Sequence, residues 1–303
     1  MQFAPELLAL SVGLIWAISA FISVEPVRVF GGLAFNRVRQ SVVSVGLIAA
    51  ILISGAFEVL TWKQAILLAL SGFVGIFLGD TLLFAALGRL GPRRNAMIFA
   101  TNAPMAALLA VAVGKDVIGP LEWVGIALVL IGVIIAIGYG KRREALHTWE
   151  QVRGPLWVGV GLSLLAAMGQ AGGLVLADFV IDVPVEEKPP VLLTALVRVG
   201  IAAVALNALA FAGLQAIKPQ QPISRRNWIL AILSGIWGMG LGMTFLVWAQ
   251  WLGGEAGLIA ALSSTTPVWV LPVLWFTTKE RPAGPAFLGA AIAVAGVFLI
   301  YWP

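Results

Sequence analysis

The 303-residue chain has no cysteine, a single histidine and few charges, which make up only 11% of its residues. Without cysteine there are no disulfides, thiolate nucleophiles or thiolate metal sites. The lone histidine, His147, sits in a polar stretch midway along the chain. A histidine-based triad or histidine metal cluster at membrane depth is thereby excluded, and neither a catalytic centre nor a metal is expected. No G-x-x-x-x-G-K-[ST] phosphate loop occurs, which argues against ATP-driven pumping. Soluble domains are about one quarter charged, so this composition belongs to another class.

What the chain does have is apolar length. It is 60% hydrophobic with a mean hydropathy of +1.00. Runs near 20 residues, enough to cross roughly 30 Å of hydrocarbon, recur throughout. Ten spans are expected, at about 5–24, 36–56, 64–87, 95–114, 120–139, 155–177, 191–214, 227–250, 256–277 and 284–302. The first lacks a basic leader and is followed by further spans, so it reads as a membrane helix and not as a cleaved signal. The net charge of +5 resides in short loops, which excludes nucleic acid as a partner and makes the basic residues orientation signals.

The chain is organised as a duplication. Ser71–Thr81 reads S-G-F-V-G-I-F-L-G-D-T, and Ser234–Thr244, 163 residues later, reads S-G-I-W-G-M-G-L-G-M-T. Pro104 meets Pro267 at the same offset, and Thr101-Asn102 meets Ser264-Thr265. At offset 164, Asp116, Gly125 and Gly132 meet Glu280, Gly289 and Gly296, while the first two spans of each half match only weakly, as Val38-Arg39 against Val197-Arg198 at offset 159. The polar segment 141–154 is the expected linker between a first repeat, 1–140, and a second, 155–303. An odd number of helices per repeat forces the halves to enter the membrane from opposite sides, and inverted repeats place a binding site between the halves near the midplane. The fold class is therefore an all-α integral membrane protein with ten transmembrane helices in two inverted five-helix repeats.

Fifteen basic residues fall in the loops after odd-numbered spans, Arg28, Arg37 and Arg39 among them, against Lys63, Lys115 and Lys188 in the alternate loops. This places the basic loops in the cytoplasm and both termini outside.

The paired S-G-x-x-G-x-x-L-G-x-T runs and the proline–acid–G-x6-G endings resemble the drug/metabolite transporter superfamily, and more narrowly the ten-helix EamA-type exporters, over essentially the full chain. The resemblance implies a secondary carrier, often exporting amino acids or other metabolites across the inner membrane, with a cavity walled largely by spans three, four, eight and nine. Relatives are commonly drawn with cytoplasmic termini, and the local charges here place them outside instead. A small-molecule substrate, the lipid bilayer as surroundings and no cofactor follow. A monomer is expected, with a dimer as the alternative. A non-transporting scaffold or lipid-handling protein is the competing functional reading.

Candidate site residues follow from polarity at membrane depth. Asp80, with Met243 as its twin, is a carboxylate that needs a partner or water. It either faces a cavity or pairs with an arginine such as Arg89 or Arg93. Phe77 and Phe84, with Phe73, share its face on an α-helical reading. Thr101 and Asn102 precede Pro104, and Ser264 and Thr265 precede Pro267, where each proline frees a backbone carbonyl. These polar groups either receive substrate or satisfy the kink. Gln170 faces inward because an unpaired amide is costly in lipid. Trp16, Met97, Trp237 and Met243 are apolar candidates, with packing or lipid contact as the competing reading. Trp62, Trp123, Trp157, Trp228 and Trp302 fit interfacial belts. Arg198 is expected to snorkel to an interface.

Overall fold

The computed structural model describes residues 4–55, 59–115, 117–138, 148–181, 183–184, 187–219, 222–252, 262–279 and 282–300. Ten long or apolar helices carry the architecture, labelled here α1 (Ala4–Phe30), α2 (Gly32–Ser54), α3 (Trp62–Leu90), α4 (Pro92–Ala112), α5 (Pro120–Gly138), α6 (Leu156–Ile181), α7 (Val191–Phe211), α8 (Arg225–Trp251), α9 (Thr266–Thr278) and α10 (Gly284–Ile300). Seven are long and apolar enough to cross a bilayer, and α5, α9 and α10 are shorter apolar helices. No strand occurs among the described residues. Asp116, His147, Asp182, Glu186, Glu280 and Trp302 lie outside the described residues.

Lipid is as apolar as leucine, so helices in a bilayer associate through close packing of small residues rather than through hydrophobic exclusion. The repeated glycines serve that purpose. A methyl at Gly132 would sit 2.5 Å from Ala293 N and Gly289 O, and one at Gly125 would sit 2.6 Å from Gly296 O. Helices α5 and α10 therefore cross backbone to backbone. The halves also interleave. Gly75 and Gly79 of α3 face Gly173 and Gln170 of α6, while Gly238 and Gly242 of α8 face Ser19 and Trp16 of α1.

The duplicated stretch has a winding that α-helical spacing did not foresee. Gly72–Asp80 and Gly235–Leu241 are both π-helical, with i→i+5 bonding. Wider turns leave some backbone carbonyls available to neighbours. Asn36 Nδ2 donates to Ile76 O at 3.2 Å in the first copy, and Trp16 Nε1 donates to Gly238 O at 3.0 Å in the second. The changed phase also breaks the expected aromatic face. Phe73 is exposed and Phe77 packs on it with tilted rings at 4.8 Å between centroids, while Phe84 alone is buried with Asp80.

Helix α4 breaks at Ala100–Thr101, just before Pro104, and α9 starts at Thr266, just before Pro267. Thr101 Oγ1 donates to Ile98 O and Thr265 Oγ1 to Leu262 O, both at 2.7 Å. Both hydroxyls thus bond back into the turn that ends at the break, and Thr101 is the structural twin of Thr265 rather than of Ser264.

The end of the linker is tied down. Glu150, 1% exposed, accepts from Arg93 N at 3.1 Å and pairs with Arg93 Nε at 3.4 Å and Arg94 Nη1 at 3.7 Å. Arg28 donates to the carbonyls of Thr148, Trp149 and Gln151. Gly91, at φ +79°, makes the turn between α3 and α4 directly against Trp149 O, where any side chain would collide.

Candidate functional site

A cavity of about 100 Å³ lies between the two halves. One water needs roughly 10–15 Å³ on the same measure, so the space admits a small solute. Its walls come from α1 (Trp16, Ser19, Ala20), α2 (Arg39), α3 (Asp80, Leu83, Phe84, Leu87), α4 (Pro92, Asn95, Ala96, Phe99), α6 (Gln170), α8 (Gly238, Met239, Met243) and α9 (Thr266). Spans three, four, eight and nine contribute as the resemblance implied, and α1, α2 and α6 complete the wall.

The polar side is an ordered network. Arg39 Nη1 stands 3.9 Å from Asp80 Oδ2, a charge pairing longer than a hydrogen bond. Gln40 Nε2 donates to Asp80 Oδ2 at 3.2 Å and to Asn36 Oδ1 at 2.8 Å, and Asn36 Nδ2 donates to Thr81 Oγ1 at 3.0 Å. The Arg39 guanidinium lies 4.3 Å from the Phe84 ring centroid and donates from Nη2 to Ser234 O at 3.3 Å. Aromatic faces favour cations, and the desolvated setting strengthens that attraction. Arg39 is only 4% exposed, yet among the described residues its Nε and Nη1 find no hydrogen-bond partner.

Three sequence expectations are corrected here. Arg39, counted among the loop cations, is the eighth residue of α2, about 10 Å along the helix axis at roughly 1.5 Å per residue. Sequence hydropathy started that span at 36, which left Arg39 at its edge. Asp80 pairs with this arginine and not with Arg89 or Arg93, the latter being held by Glu150. Arg198 does not snorkel. It is 1% exposed, with Nη1 3.4 Å from Met243 Sδ.

Of the twelve candidate residues, Trp16, Asp80, Phe84, Gln170 and Met243 meet at the cavity. The others are placed elsewhere. Met97 is fully buried among Ala136, Leu271, Ala286 and Ala290. Trp237 is 38% exposed, because the π-turn directs glycines rather than this ring towards α1 and α2. Phe77 packs on Phe73, and Thr101 and Thr265 serve the helix breaks. Asn102 and Ser264 are half-buried and do not border the cavity, where Thr266 stands instead. Arg39, Ser19, Asn95 and Thr266 are cavity residues that sequence reasoning missed. A signal for the first existed, since Asn36, Arg39 and Gln40 at i, i+3 and i+4 make one polar face on a largely apolar helix.

An inter-repeat cavity with buried polar groups, walled by helices of both halves, defines a multi-pass membrane protein of the two-repeat transporter class. The EamA-like transporter family model matches residues 4–138 and 157–302, and the chain belongs to that family. It is accordingly a membrane transporter of small molecules, from a family that is normally non-enzymatic. A solved structure titled "Crystal structure of protein" is 18% identical, with a TM-score of 0.66 over 97% of this chain and 95% of that one, and it shares the fold. Comparison with curated proteins returns no match.

Proposed function

We propose that the protein is a secondary carrier exporting amino acids or related amphipathic metabolites across the inner membrane by alternating access. The observation that carries this reading is the cavity itself, where the Arg39–Asp80 pair shares one small space with Trp16, Phe84, Phe99 and Met243. Such a surface matches a solute with a charged head and an apolar body. Charges at this depth are retained where they meet solute or partner, because a carboxylate there costs on the order of 3 kcal/mol or more otherwise. Interleaved halves related by an inverted repeat supply two packings of similar energy, which is what rocking around a fixed site requires.

The excess of basic residues in alternate loops supports termini on the outer side, even with Arg39 removed from the count. Where flux is proton-coupled, Asp80 is the group assigned to carry the proton, and facilitated diffusion is the default. Uptake of labelled amino acids into proteoliposomes, with and without a pH gradient, tests the reading. Saturable flux is expected. Its absence for every small solute leaves the scaffold or lipid-handling alternative. In Asp80→Asn, stimulation by the gradient is expected to vanish, and its persistence removes the proton role alone.

A further inference from the structure

The duplication extends to the buried charges, and there it is incomplete. Arg39 and Arg198 each lie seven residues past the start of α2 and α7. Each packs its backbone on the π-helical glycine of the opposite half. The Cβ position of Gly235 is 3.3 Å from Arg39 Cα, and that of Gly72 is 2.7 Å from Arg198 Cα. Gly72 and Gly235 are themselves twins at offset 163. In each guanidinium Nη1 meets a side chain of its own half. Arg39 Nη1 faces Asp80, whereas Arg198 Nη1 faces the twin of Asp80, which is Met243.

The first half therefore holds an arginine–carboxylate pair and the second an arginine–thioether pair. A thioether is a neutral, weak acceptor and cannot balance a guanidinium. Arg198 Nε and Nη2 find no hydrogen-bond partner among the described residues, although the residue is 1% exposed. Among the described residues, Arg39 pairs with the Asp80 carboxylate while Arg198 meets the Met243 thioether and no carboxylate within 4 Å, so two positive charges are set against one negative. Burial of an unbalanced cation is costly, and a planar carboxylate is the group that matches a guanidinium fork. Met243 also lines the cavity, and its contact with Arg198 Nη1 brings that guanidinium within one side chain of the solute space.

We infer that the carboxylate absent from the second half is supplied by the transported solute, whose carboxylate docks at the Arg198–Met243 side of the cavity. This rests on the carrier reading above. It narrows the substrate class to solutes bearing a carboxylate, whether simple anions or zwitterions, and excludes simple amines.

The test uses three solutes of similar shape, leucine, 4-methylpentanoate and isopentylamine, with the purified full-length protein in detergent and in proteoliposomes. Leucine and 4-methylpentanoate are expected to raise the melting temperature of the wild-type protein, and isopentylamine is not. Met243→Asp rebuilds the missing pair within the protein and is expected to weaken carboxylate binding on the order of tenfold or more, the scale of a desolvated charge contact. Met243→Asn, of equal size and no charge, weakens it less. Asp80→Met combined with Met243→Asp restores the wild-type charge count, guards against a folding defect, and is expected to recover carboxylate binding relative to Met243→Asp alone. Stabilisation by the amine alone, no stabilisation by either carboxylate, or equal loss in Met243→Asp and Met243→Asn overturns the inference. Saturable flux of isopentylamine without flux of the carboxylates overturns it while leaving the carrier reading standing. No flux of any solute overturns both.

Discussion

Gly132→Ala in α5 is a stringent probe of how this fold is held. The added methyl would lie 2.5 Å from Ala293 N and from Gly289 O, both backbone atoms of α10. Carbon contacts settle near 3.5–4.0 Å, so the two helices must part by about 1 Å. No rotamer change relieves that, because nothing flexible is in the way. Overpacking of this kind costs about 1–3 kcal/mol. The contrasting variant is Gly46→Ala on the exposed face of α2, where nothing lies within 4 Å of the new methyl. Alanine there meets no clash and gains helix propensity, up to about 1 kcal/mol on aqueous scales. Thermal stability followed by size-exclusion chromatography in detergent should fall for Gly132→Ala and stay level or rise for Gly46→Ala. Equal effects, or a more stable Gly132→Ala, would refute close glycine packing as the tie between α5 and α10.

Three further outcomes follow from the same structure. Glu150→Gln removes the carboxylate that faces Arg93 and Arg94 in a fully buried setting and is expected to lower stability by about 3–5 kcal/mol, read as a large drop in melting temperature. By contrast, Lys115→Ala breaks a half-exposed pair with Asp178, for which about 0–1 kcal/mol is expected in the same assay. Trp16→Phe keeps an aromatic ring, smaller than indole, and loses the donor to Gly238 O, so stability should fall by about 1 kcal/mol or more, measured by the same melting method.

The spans and the duplication were legible because they rest on composition and spacing, which survive in a single sequence. Asp80, Gln170, Trp16, Phe84 and Met243 stood out because polar or bulky groups inside apolar runs have few places to go. The π-helical winding of Gly72–Asp80 and Gly235–Leu241 was not legible, since the same glycine spacing also suits an α-helical stripe and only neighbours such as Asn36 and Trp16 reveal the wider turn. Phe73 and Phe77 were misplaced for that reason. Arg39 was lost to a boundary, because charge near a span edge reads as loop. Its match with Arg198 in the repeat carried the information, but the meaning appears only when both side chains are seen to converge on the Asp80–Met243 level. Asn95 and Thr266 border the cavity through the broken geometry of α4 and α9, which a proline announces without giving its direction.

On the carrier reading a small solute crosses through the cavity between the halves. Counterflow of labelled leucine into proteoliposomes preloaded with unlabelled leucine measures that passage. Saturable, protein-dependent counterflow is expected, with unlabelled 4-methylpentanoate competing for it. Uptake indistinguishable from protein-free liposomes, for leucine and for every other small solute tried, would overturn the carrier reading.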